Sequence, residues 1–238
     1  MTENEGVYLE TSSILALLIG FLLGLEHTLD LDHLVAVLTI ASENKSAVKS
    51  LLTGGVWGLG HTMVLFIVGI LVLAFKLTIP GNIVRLFEFA VGIMLVILGI
   101  LVIRTVRLNR AHIHRHTHEK YSHIHAHSHK DIESHRHLHK SLLVGMLQAL
   151  AGSAVLMLLV VSTMKTIVQG FAFILMFGIG TIVGMTTIGA LISLPFLFTK
   201  WSIKINRTIK VITGLISIGL GLFIALVVLL RFLEIYVR

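Results

Sequence analysis

Residues 12–41 read SSILALLIGFLLGLEHTLDLDHLVAVLTIA, an apolar run long enough to cross a bilayer as one helix, with ionisable side chains only at Glu26, His27, Asp30, Asp32 and His33. A charged side chain at mid-membrane costs roughly 2.5 to 3.5 kcal/mol on insertion scales, so the three acids together cost on the order of 8 to 10 kcal/mol if left charged and unpaired. No Lys or Arg lies within the run to neutralise them by ion pairing. Imidazole nitrogen and carboxylate oxygen are the ligand set of a borderline divalent cation such as nickel, cobalt or zinc, and coordination offsets the burial cost. The stretch reads as a metal site in the membrane.

The rest of the chain agrees. Of 238 residues, 55% are apolar and only 13% charged, about half the charge of an average soluble domain. Apolar runs at 12–41, 51–75, 83–106, 141–163, 168–199 and 208–233 predict an all-α, polytopic membrane protein of six transmembrane helices. Pro195 is expected to disturb the last turns of the fifth run. Met1 to Glu10 holds three acids and no Lys or Arg, unlike a cleaved signal peptide, so the first helix is expected to stay in the mature protein. The chain has no cysteine, which removes disulfides, thiolate metal sites and thiol-disulfide relays.

Six spans place both termini on one side, and the basic residues decide which. One set of connections carries 14 Lys and Arg, mostly between the third and fourth runs, against five on the other (Lys76, Arg85, Lys165, Arg231, Arg238). The positive-inside rule then puts the termini outside and the connection at 108–140 in the cytoplasm of a plasma-membrane protein. The formal charge of +7 is mostly this asymmetry, so no nucleic-acid partner is implied.

At an offset of 122 to 125 the chain aligns with itself. Gly20 falls on Gly145, Gly60-His61-Thr62 on Gly184-Met185-Thr186, and Gly92 and Gly99 on Gly214 and Gly221. Three helices per half make the second half inverted, an architecture that holds its substrate near the midplane. The division is 1–107 for the first half, 108–140 for the His-rich connection and 141–238 for the second half. Gly20xxxGly24 and Gly180xxxGly184 are small-xxx-small pairs suited to close helix packing.

On a straight helix, His27, Asp30 and His33 share a stripe roughly 120° wide, while Asp32 points almost the opposite way. Either the helix unwinds around residues 29–31 and Asp32 joins the site, or Asp32 orients a ligand from outside it. His61, in Trp57-Gly58-Leu59-Gly60-His61-Thr62 of the second run, is the candidate completing ligand. The other 11 histidines lie within 112–139 at spacings of two, which suits an extended chain that buffers metal with little selectivity.

His27-x4-Asp32-His33 resembles the signature of the nickel/cobalt transporter family, with Thr28 and Leu31 in place of its alanines. Gly58-Leu59-Gly60-His61-Thr62, Leu150-Ala151-Gly152-Ser153-Ala154 and Phe177-Gly178-Ile179-Gly180-Thr181-Ile182-Val183-Gly184-Met185 are more similar still to its six-helix, urease-accessory-type branch. Where that branch often carries His-Gly before Leu-Ala-Gly-Ser, this chain has Gln148-Ala149, which takes an imidazole away from the fourth run. The resemblance implies uptake of nickel or cobalt, held as cargo by His27, Asp30, Asp32, His33 and His61. It implies no resident cofactor and no enzymatic activity. A cytoplasmic metallochaperone and a second copy of the chain are the protein partners it admits. An exporter and a non-transporting accessory protein of metalloenzyme maturation are the alternative functions. No Gly-x4-Gly-Lys-Ser/Thr loop is present to bind a nucleotide.

Overall fold

The computed structural model describes residues 3–43, 46–77, 79–108, 114–118, 121–125, 134–152, 161, 166–199 and 202–237. Their order is α1 (Glu3–His27), α2 (Leu31–Ala41), α3 (Ala47–Phe75), α4 (Gly81–Leu108), β1 (His114–His118), β2 (Tyr121–His125), α5 (Ser134–Gln148), α6 (Ile167–Phe198) and α7 (Ile203–Val237). The described fold is helical apart from one antiparallel hairpin, β1 with β2, in the His-rich connection.

Helices α3, α4, α6 and α7 are each long and apolar enough to cross a membrane, and α1 with α2 adds a span if the bent pair is counted as one. Residues 12–41 are therefore not a single continuous helix. The axis turns by 58° between the two segments. The expected run at 141–163 starts within α5 and turns at Ala149–Gly152; of its remaining residues only Val161 lies among those described. Helix α6 continues through Pro195 to Phe198 instead of ending before it. The proline's missing N–H leaves the Leu191 carbonyl without that helical bond, and only three residues of helix follow it.

Polarity is distributed as lipid requires. Leu59, Ile67, Leu71, Leu175, Leu222 and Leu226 lie exposed on the outer faces, whereas His27, Thr28, His33, Thr53, His61, Gln148 and Thr181 are buried. Such extensive exposed apolar surface is stable only against lipid, and regular helices satisfy their backbone groups internally there. The chain is a multi-pass membrane protein.

Glycine sets how closely the spans approach. A Cβ on Gly24 would strike the Phe177 carbonyl, and one on Gly180 would strike the Phe21 carbonyl, so α1 and α6 interlock through both small-residue pairs. Gly92 faces Gly221 and Gly99 faces Gly214 across α4 and α7. Gly54 and Gly58 of α3 abut Met185 and Ile182 of α6 in the same manner. Close backbone approach at small residues supplies the van der Waals contact that drives helix association in lipid.

Candidate metal centre

The bend between α1 and α2 begins as a tightened last turn. Thr28, Leu29 and Asp30 donate their amides to the carbonyls three residues back, at 3.2, 2.8 and 3.2 Å, in place of the α-helical four. Asp30 then leaves helical geometry (φ −57°, ψ 138°) and caps α2, its carbonyl accepting from His33 and Leu34 at 3.0 and 2.9 Å. An N-cap aspartate ordinarily turns its carboxylate onto the new helix. This one makes no such capping bond. Its Oδ2 lies 3.1 Å from His27 Nδ1 instead, which ties the last residue of α1 to the cap of α2.

Three imidazoles meet behind the bend. His27 is 3% exposed and His33 and His61 are fully buried. His61 stands at the centre of the 29-residue α3, with 14 helical residues on either side, or about 21 Å of rise each way. The site is thus at mid-span. His27 Nε2 and His61 Nε2 are 3.0 Å apart. One donates and the other accepts, so the pair shares a single proton. Cis donors around a common ion at about 2.0 to 2.1 Å are separated by about 2.9 to 3.4 Å, so the same two nitrogens suit one cation in place of that proton. One nitrogen from each of His27, His33 and His61 falls within 4.8 Å of the others. The Nε2 of His33 is buried without a hydrogen-bond partner among the described residues, and its chemistry suits a metal ligand.

A second trio adjoins the first and shares His33. Asp30, Asp32 and His33 also offer donor atoms within 4.8 Å of one another. Asp32 Oδ1 lies 3.0 Å from His33 Nδ1. The two carboxylates are the more open end, with side chains 34% and 17% exposed for Asp30 and Asp32 against 0% for His33. Five candidate side chains therefore form one continuous cluster, imidazoles inside and carboxylates outward. The bend brings Asp32 to this cluster, which a straight helix does not.

Two neighbours escaped the reading of the sequence. Gln148, at the end of α5, is fully buried; its Nε2 donates to Asp32 Oδ2 at 3.2 Å, and its Oε1 accepts from Trp57 Nε1 at 3.0 Å. The fourth run thus reaches the cluster without an imidazole. The Trp57 indole stacks on His61, with centroids 5.0 Å apart and planes at 16°, and meets His33 in a T-shaped contact with centroids 4.8 Å apart. A glutamine in an apolar run carries the same signal as the acids, a buried polar group in need of a partner. The inverted-repeat reading also expects Ser153, Thr181 and Met185 towards the site; the Thr181 hydroxyl bonds the Phe177 and Gly24 carbonyls, and Ser153 lies outside the described residues.

These features define a class, a multi-pass membrane protein with a polar cluster sealed in its interior. Residues 77–223 match the family model of the cytochrome C biogenesis protein transmembrane region. The urease accessory protein UreH of Bacillus sp. (strain TB-90) is 38% identical over 220 residues, which cover 87% of this chain and 88% of the relative. Chloroplast proteins FOR GROWTH AND FERTILITY 2 and 1 of Arabidopsis thaliana are each 26% identical, over 92% and 87% of this chain and 58% of each relative. No solved structure matches the chain. The chain belongs to the cytochrome C biogenesis transmembrane-region family, and by its likeness to the UreH relative it is of the UreH type. It is not an enzyme. Thiol chemistry has no place in it, because the chain contains no cysteine.

Proposed function

We propose that the protein carries a divalent transition-metal cation, nickel or cobalt, across the membrane into the cytoplasm, with His27, Asp30, Asp32, His33 and His61 as its ligands. The observation that carries this is the convergence of three buried imidazoles and two carboxylates on a helix bend at mid-span. Discontinuous helices are where transporters expose polar groups to an ion at depth. Nitrogen-rich donors with no thiolate favour nickel, cobalt or zinc over magnesium or calcium. A urease-accessory relative fits nickel as the cargo.

The architecture we propose has six spans in two inverted halves. Two features support it. The glycine contacts of α4 with α7 map onto themselves when the halves are exchanged, since Gly92 to Gly221 becomes Gly214 to Gly99. The first span bends at 28–30, and the second half also breaks within its first span, at Ala149–Gly152, which aligns with 24–27, with Gly152 at φ +64°. With the termini outside, the carboxylates and imidazoles lie on a route along which a membrane potential supplies roughly 4.6 kcal/mol per 100 mV to a doubly charged ion.

The test is uptake of radiolabelled nickel into proteoliposomes of known orientation, with unlabelled cobalt, zinc and magnesium as competitors. Inward accumulation that cobalt suppresses and magnesium does not is the expected result. Accumulation in the opposite direction would make the protein an exporter. Metal binding without accumulation in either direction would favour the accessory role in metalloenzyme maturation.

A further inference from the structure

Gln148 stands between two groups that fix its orientation. An indole N–H only donates, so Oε1 must face Trp57, and the amide NH2 is left for Asp32. No rotation of the amide serves both partners in the reverse sense. The glutamine is fully buried, and so is the indole, which in turn packs on both His61 and His33. A neutral donor is thereby held on one oxygen of a carboxylate whose other oxygen faces His33.

We infer that Gln148 is a positioning residue that weakens the grip of the site on its cation, by holding Asp32 Oδ2 in the empty site and reclaiming it as the ion leaves. The inference rests on the transport function proposed above. A cation that takes Asp32 through Oδ2 must displace or share the Gln148 donor, and one that takes Oδ1 alone meets a carboxylate whose negative charge that donor already draws on, so either mode is weakened. Hydrogen bonds to charged groups are among the stronger ones, so the competition lowers affinity by about tenfold or more. A conducting site has to bind well enough to fill and weakly enough to empty. Trp57 makes the arrangement specific, since it removes the option of turning the carbonyl oxygen of Gln148 toward the ion.

Two substitutions separate this role from simple packing. Gln148→Leu keeps the bulk and removes the donor. Gln148→Glu keeps an acceptor for Trp57 and puts a second carboxylate beside Asp32. Nickel affinity is measured by titration calorimetry on the full chain in detergent, and by quenching of Trp57 fluorescence in a Trp201→Phe background, which leaves one tryptophan. Uptake rate at saturating nickel is measured in liposomes. The expected result is about tenfold tighter binding in Gln148→Leu, at least as great a gain in Gln148→Glu, and slower turnover in both. A purely structural role would weaken binding and rate together. Unchanged or weaker affinity in whichever variants fold, beside nickel binding by the unmodified protein, overturns the inference alone. No nickel binding by the unmodified protein overturns the proposed function and this inference with it.

Discussion

His27 and His61 come from different helices and share a nitrogen-nitrogen contact of 3.0 Å at the centre of the bundle. Substituting one partner leaves the other imidazole buried without its hydrogen bond, and any ion short of a donor where water is scarce. His27→Ala, His33→Ala and His61→Ala are each expected to abolish nickel uptake while the protein still inserts and elutes as a folded species. Near-normal uptake in all three would remove the metal assignment. Asp32→Asn is expected to cut uptake by an order of magnitude or more, because a neutral amide cannot balance a doubly charged ion in low dielectric. The cluster was legible in the sequence because charge and imidazole are costly in lipid and stand out against an apolar run. The partners of Gln148 and Trp57 were not. A buried amide stands out in an apolar run, but what it bonds depends on α5 packing beside α3, which no local spacing encodes.

At the scale of elements, the long apolar helices follow directly from composition, and the glycine pairs foretold where they touch. The bend at Thr28–Asp30 did not. Neither Gly nor Pro interrupts residues 26–33, and it is the cap that Asp30 forms on α2 that redirects the chain there. That bend is braced from α6. A Cβ on Gly184 would come 2.6 Å from Thr28 Oγ1, whose hydroxyl donates to the Leu25 carbonyl in the tightened turn. Gly184→Val is therefore expected to displace the turn and cost about 1 to 3 kcal/mol as overpacking. Thermal unfolding followed by fluorescence should show a fall in midpoint, and nickel uptake should fall with it. Gly152→Ala provides the contrast. Its φ of +64° costs an alanine roughly 1 to 2 kcal/mol, yet the new Cβ would sit at an ordinary 3.8 Å from Asp30 Oδ2. A lowered midpoint with uptake retained in the survivors is expected; loss of uptake in well-folded protein would mean that Gly152 itself is part of the route.

Over the whole molecule, the proposed transport divides its chemistry between a buried cluster that selects and a histidine-rich connection that collects. The connection joins α4 to α5, and its described strands pair with each other, His114 opposite His125 and His116 opposite His123. On the proposed function, its 11 histidines far exceed what one ion can use and serve to concentrate metal near the membrane surface, since any loose N-donor set binds several metals by turns. Translocation, on the same proposal, falls to five side chains held by helix packing. Deleting residues 112–139 and bridging the gap with a short Gly/Ser linker is therefore expected to leave maximal nickel uptake intact. Half-saturation should move to higher metal, because each ion must then be captured or released without the tract beside it. Uptake into proteoliposomes across a range of nickel concentrations measures both quantities in one series. Complete loss at saturating nickel, in protein that inserts normally, would place the connection on the ion's path and defeat the division of labour.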